Sequence, residues 1–151
     1  MSGELVIEGG CHCRKLRYKL GWPVSSSGDE ELRIPARRCS CSFCTRIDGV
    51  WTSHPEASLT ISESGDFPAT KYRFATGTAD FLFCSQCGIT PVAVCEIEGR
   101  KIAVVNVNTF DEDSGDFTLD CADTSFDGES LDDRLGRRQA RWIGRISWLA
   151  A

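Results

Sequence analysis

The chain lacks any long apolar run: nothing in its 151 residues approaches the roughly 20 consecutive hydrophobic residues that cross a bilayer. It is therefore not expected to be a membrane protein. It also lacks a basic surplus. A net charge of -5 and a pI near 5.0 oppose the nonspecific attraction to phosphate backbones that nucleic-acid binding requires, so nucleic acid is not an expected partner. The opening Met1-Ser2-Gly3-Glu4-Leu5 has neither the basic start nor the apolar stretch of a secretory signal, and the expected location is the reducing cytoplasm. There is no internal repeat and no linker. Gly, Ser and Asp collect at Ser25-Ser26-Ser27-Gly28-Asp29 and over Asp111 to Asp116, which read as surface loops within one domain spanning 1–151.

What is present first is a soluble composition, 41% hydrophobic and 26% charged, in a chain long enough to bury roughly 70% of its unfolded surface. Metal is not needed for size alone. Lys15-Leu16-Arg17-Tyr18-Lys19-Leu20, Leu59-Thr60-Ile61-Ser62 and Lys71-Tyr72-Arg73-Phe74 alternate apolar and polar positions, the period of half-buried strands. Phe81–Phe83, Val92–Cys95 and Ile102–Val107 add apolar strand candidates, the last two joined by a hairpin turn around Gly99. Leu131, Leu135, Trp142 and Ile146 can share one face of a C-terminal helix, although Gly136 and Gly144 each weaken it by about 1 kcal/mol relative to alanine. Arg134, Arg137, Arg138, Arg141 and Arg145, mixed with nearby acids, read as its solvated face.

The chemistry lies in nine cysteines, seven of which fall into three groups. Their odd number and the absent signal weigh against a secreted disulfide framework. Cys84-Ser85-Gln86-Cys87-Gly88 has the form of a zinc knuckle, with Gly88 letting the backbone fold beneath two sulfurs. Cys11 and Cys13, two residues apart, project from one face of an extended segment and can complete a closed tetrathiolate with Cys84 and Cys87. Cys39, Cys41 and Cys44 can grip one ion from a single loop and leave a coordination position free, as catalytic zinc sites do. Spacing leaves open a fourth ligand from His12, His54, Cys95 or Cys121, and a different partition in which Cys39–Cys44 pair with Cys84 and Cys87. Cys95 and Cys121 read as small buried hydrophobes and His54 as an exposed loop imidazole, while the ring of His12 points away from the ion of its flanking cysteines.

Gly10-Cys11-His12-Cys13, Cys39-Ser40-Cys41-Ser42-Phe43-Cys44 and Phe83-Cys84-Ser85-Gln86-Cys87-Gly88 together resemble the glutathione-dependent formaldehyde-activating (GFA) family, to which centromere protein V also belongs. Val105-Asn106-Val107 and Phe126-Asp127-Gly128 extend the likeness over most of the chain. The resemblance implies a mainly β, single-domain β-tent of short antiparallel sheets around a structural zinc on Cys11, Cys13, Cys84 and Cys87. It also implies a second zinc on Cys39, Cys41 and Cys44, so two ions per chain. The implied activity is that of a carbon-sulfur lyase acting on a small-molecule thiol or thiol adduct such as S-hydroxymethylglutathione, with glutathione as partner. Thr90 stands before Pro91 where many relatives carry histidine, a departure that admits thiol adducts other than that of formaldehyde. Arg46, just after the triad, is a candidate anion contact. Two other readings compete: a non-enzymatic zinc module that binds a protein partner, with the triad closed, and a methionine sulfoxide reductase, which would need Cys95 or Cys121 as its reactive thiol.

Overall fold

A computed structural model describes residues 3–24, 32–113 and 115–150. The expected loop Ser25 to Asp29 lies outside the described residues, as does Ser114 in the second loop. The chain is mainly β, in two sheets. One is four-stranded, ordered β1-β2-β5-β11, from β1 (Gly3–Gly10), β2 (Leu16–Val24), β5 (Ser58–Glu63) and β11 (Arg145–Ala150). The other is seven-stranded, ordered β10-β3-β4-β9-β8-β7-β6. It is built of β3 (Arg33–Cys39), β4 (Val50–Thr52), β6 (Ala69–Tyr72), β7 (Ala79–Cys84), β8 (Val92–Ile97), β9 (Arg100–Asn106) and β10 (Thr118–Thr124). Two helices, α1 (Ser42–Ile47) and α2 (Leu131–Arg141), interrupt the strands. The sheets are antiparallel except at β10 against β3 and β11 against β5, which are parallel.

The alternating segments 15–20 and 59–62 became strands because one set of their side chains is buried, whereas Lys71-Tyr72-Arg73-Phe74 did not form the expected half-buried strand: β6 ends at Tyr72, and Lys71, Tyr72 and Arg73 are exposed because β6 is an edge strand. In β2, Leu16, Tyr18, Leu20 and Trp22 face inward, meeting Leu59 and Ile61 of β5. The apolar runs in β7, β8 and β9 do not alternate because both faces of these central strands are covered. Leu82, Val92, Val94, Ala103 and Val105 face the four-stranded sheet, whereas Ala79, Ala93, Cys95, Ile102 and Val104 face a second cluster with Trp51 and Trp142. The expected hairpin is a two-residue turn in which Ile97 pairs with Arg100. Glu98 and Gly99 both take positive φ, 53° and 81°, the primed turn whose twist matches that of paired strands.

The C-terminal segment differs from its expected form. The helix stops at Arg141: Trp142 takes extended dihedrals as its C-cap, Ile143 bridges to Ala103, and Ile146 belongs to β11, not to the helix face. Leu131 is exposed; Leu135 and Trp142 alone of the expected four pack on the second cluster.

Candidate metal and ligand site

The first cysteine group forms where β1, β2 and β7 end together. Cys11 follows β1, and its amide donates to the Leu16 carbonyl at 2.9 Å, closing a turn rather than the extended segment the i, i+2 spacing suggested. Arg14 takes φ 70° within that turn. Cys84 ends β7, and the knuckle closes as Gly88 N donates to the Cys84 carbonyl at 2.9 Å, with Gly88 at φ 79°, a conformation open to glycine without strain. Cys13 Sγ lies 3.6 Å from Cys11 Sγ and 3.4 Å from Cys84 Sγ. Backbone amides point at the sulfurs: Leu16 N at Cys11 Sγ (3.3 Å), and Gln86 N and Cys87 N at Cys84 Sγ (3.4 and 3.5 Å).

Cys39, Cys41 and Cys44 occupy three structural positions in place of the expected single loop. Cys39 ends β3 on the same face as Arg37; Cys41 is the N-cap of α1, its sulfur accepting from Cys44 N at 3.3 Å; Cys44 lies inside the helix and is 3% exposed. Trp51 Nε1 donates to Cys44 Sγ at 3.4 Å. The helix is held by Phe43, whose ring sits 4.7, 5.0 and 5.5 Å from those of Phe81, Phe74 and Tyr72.

Cys11, Cys13, Cys84 and Cys87 form one group and Cys39, Cys41 and Cys44 another, the sulfurs of each lying within 4.8 Å of one another. This decides the partition that spacing left open. Tetrahedral zinc with bonds of about 2.3 Å needs sulfurs about 3.8 Å apart, close to the separations found, and the amide donors suit thiolates. Both groups can hold a metal ion, and the donor sets are compatible with zinc. Among the described residues neither His12, His54, Cys95 nor Cys121 joins the triad.

As free thiols the triad members share protons unequally. Cys39 is held down to about 5 by its hydrogen bond with Cys44, while the same bond and burial push Cys44 above the usual thiol range. In the other group burial pushes Cys13 up to about 12; at Cys87 burial opposes, but donors from the backbone and neighbouring thiols hold the sulfur down to about 6.

A cavity of about 200 Å³ lies against the triad, its lining including the apolar rings of Trp51, Phe74 and Phe81. Arg37, Arg134, Arg137 and Arg138 also line it, with Arg138 stacked 4.9 Å from the centre of the Trp142 ring. Three of the five arginines expected on a solvated face are not solvated: Arg138 is 7% exposed, and the side chains of Arg134 and Arg137 are 21% and 19% exposed, whereas Arg141 and Arg145 are exposed. Arg137 chelates Glu129 through Nε and Nη2, both at 3.0 Å. Arg138 Nη1 donates to Thr78 Oγ1 at 2.9 Å and lies 3.6 Å from Cys95 Sγ. Burial pushes the Arg37 and Arg138 guanidiniums below their ordinary values.

The remaining expected residues take other places. Arg46 is exposed, donates to the Ser42 carbonyl at 2.8 Å and does not line the cavity. Cys95 is fully buried, as expected, but Cys121 is exposed, because β10 is an edge strand with one neighbour. His12 is exposed. His54 is half-buried, its ring edge-on to Trp22 at 5.4 Å, since the turn after β4 folds it back on the sheet.

The family model described as glutathione-dependent formaldehyde-activating enzyme matches residues 6–122. The chain belongs to that family. A solved structure of a Rhodobacter sphaeroides protein is 26% identical to it, covering 75% of this chain and 99% of that one, with a TM-score of 0.48. The family match includes all seven clustered cysteines and ends at residue 122, so α2 and its arginines lie beyond it. Sequence reasoning missed those arginines because mixed charge looks the same on a solvated helix and on one that closes a cavity. Their one sequence signal was an excess of arginine over lysine in that stretch, the cation preferred for buried anion contacts.

Proposed function

We propose that this chain is a carbon-sulfur lyase that joins a small thiol to a carbonyl carbon, or releases it, at the Cys39/Cys41/Cys44 site. The observation that carries the reading is that three cysteines, with no fourth ligand among the described residues, open onto a cavity. In the direction of synthesis the reaction forms one carbon-sulfur bond and moves the thiol proton to the carbonyl oxygen. It needs no oxidant.

Cys39, Cys41 and Cys44 would hold one zinc ion, which when bound lowers the pKa of a neighbouring thiol and polarises a carbonyl. Cys11, Cys13, Cys84 and Cys87 would hold a second ion in a purely structural role. The protein's own contribution is positional. Trp51 steadies the Cys44 sulfur through its indole N–H, Phe43 fixes the helix that carries Cys44, and the aromatic wall keeps water away from the reacting carbon. Cytoplasmic glutathione and its hydroxymethyl adduct are compatible partners by family description.

Exchange NMR on a mixture of formaldehyde and glutathione tests the reading. Wild-type protein should accelerate interconversion of free thiol and hydroxymethyl adduct, and Cys41→Ser should not. An exchange rate unchanged by wild-type protein with that thiol and with other small thiols would remove the lyase and leave a zinc module.

A further inference from the structure

Four buried side-chain polar atoms lack a hydrogen-bond partner among the described residues: Thr124 Oγ1, Arg134 Nε, Arg138 Nε and Trp142 Nε1. All four belong to residues lining the triad cavity. Arg134 Nε lies 3.4 Å from Glu129 Oε1, within ion-pair range but out of line for a hydrogen bond. Buried polar atoms are normally satisfied, and these four, which lie just behind the cavity's surface, mark a region of its wall poor in partners. The charge balance agrees. Four guanidiniums line the cavity, opposed by Asp127 on its rim and by Glu129 behind Arg134 and Arg137. Three thiolates around a dication would add one net negative charge, which still leaves the wall cationic. Arg138 is the sharpest case, because a guanidinium buried on an apolar cluster without a carboxylate is costly until an anion arrives.

Size and polarity narrow the anion. About 200 Å³ is below the 300–1,000 Å³ usual for ligand sites. Trp51, Phe81 and Val104 make part of the lining apolar and offer a peptide amide no partner there. We propose that the cavity takes a compact thiol, or thiol adduct, bearing a single carboxylate, with its sulfur toward the triad and its carboxylate toward the α2 arginines. Glutathione, with two carboxylates, an ammonium and its peptide bonds, is not the preferred occupant. The proposal rests on the lyase reading for the position of the sulfur and on the arginine wall for the charge.

Calorimetric titration of the zinc-loaded full chain separates the two. The probes are 3-mercaptopropionate, its methyl ester, 3-(methylthio)propionate and glutathione. The acid should bind at least about tenfold more tightly than the ester, and more tightly than glutathione. Arg134→Gln and Arg138→Gln should each lower affinity for the acid about tenfold and leave the ester unchanged; Trp142→Phe, which removes the indole donor and trims the ring beneath Arg138, should cost a few-fold. If Arg138→Gln does not fold, the other two variants carry the test. Arg46→Gln should have no effect, and an equal loss there would place the anion outside the cavity and overturn the proposal. So would an ester binding as well as the acid, or glutathione binding more tightly, both of which leave the lyase intact. If 3-(methylthio)propionate binds as tightly as the thiol and with the same arginine dependence, the anion site stands and the lyase reading falls.

Discussion

Cys41 serves both as a candidate metal ligand and as the cap of α1, its sulfur accepting from Cys44 N. Serine is among the best N-cap residues, so Cys41→Ser should keep the helix while losing the ion. Differential scanning fluorimetry with elemental analysis should find one metal fewer and a melting temperature lowered by only a few degrees. Cys84→Ser removes a sulfur that is 1% exposed and joins three strand ends, and structural zinc contributes on the order of 10 kcal/mol to folding in small domains. That variant should be largely insoluble. Trp51→Phe keeps the ring against Phe81 but deletes the N–H on Cys44 Sγ. Its effect should appear as roughly tenfold weaker retention of the triad metal against a chelator, with little change in stability.

The short helix α1 has too few residues to be stable alone, and the aromatic cluster around Phe43 supplies what its length cannot. Phe43→Ala should cost about 2–3 kcal/mol in denaturant melts and loosen the triad more than the tetrathiolate. At α2, Glu129 holds Arg134 and Arg137 against the cavity, and Arg137 in turn holds its carboxyl below the ordinary value of 4.5. A depressed folded pKa stabilises above the unfolded value and loses that contribution as pH falls through the folded one. Stability should therefore decline below pH 4.5, and Glu129→Gln should flatten that part of the profile. A mutant profile as steep as wild type would show that α2 is anchored otherwise.

How far these elements could be read depended on what buried them. β2, β5 and β8 were legible because hydrophobic side chains mark the covered faces. β10 was not, since Thr118–Thr124 is almost wholly exposed and is fixed by main-chain pairing to β3 with Arg33–Asp120 and Arg38–Asp123 contacts. The same blindness applied to β3, where only Ile34 and Ala36 turn inward among three arginines.

On the scale of the whole molecule the seven-stranded sheet divides the interior, with the four-stranded sheet on one face and the triad, α1 and α2 on the other. The Cys11/Cys13/Cys84/Cys87 group lies with the first core and the triad with the second. Cysteine spacing revealed the short motifs from which both groups are built but left their partition open. It could not reveal the cavity, whose arginines come from β3 and from a helix some ninety residues further on in the chain. Purified without chelator, the protein should contain two zinc ions per chain, and brief chelation should remove the triad ion first because three ligands hold metal less firmly than four.

Cobalt substitution reads whether a metal ion held by the triad has a position open to an outside thiol. Sulfur-to-cobalt charge-transfer bands should change and saturate as 3-mercaptopropionate or glutathione is added, more strongly at higher pH because the thiol must lose its proton. Cys44→Ser should abolish the change while the bands of the tetrathiolate persist, and an S-methylated thiol should produce little response. Bands that ignore every thiol up to millimolar concentration would contradict the account and make the triad a closed site.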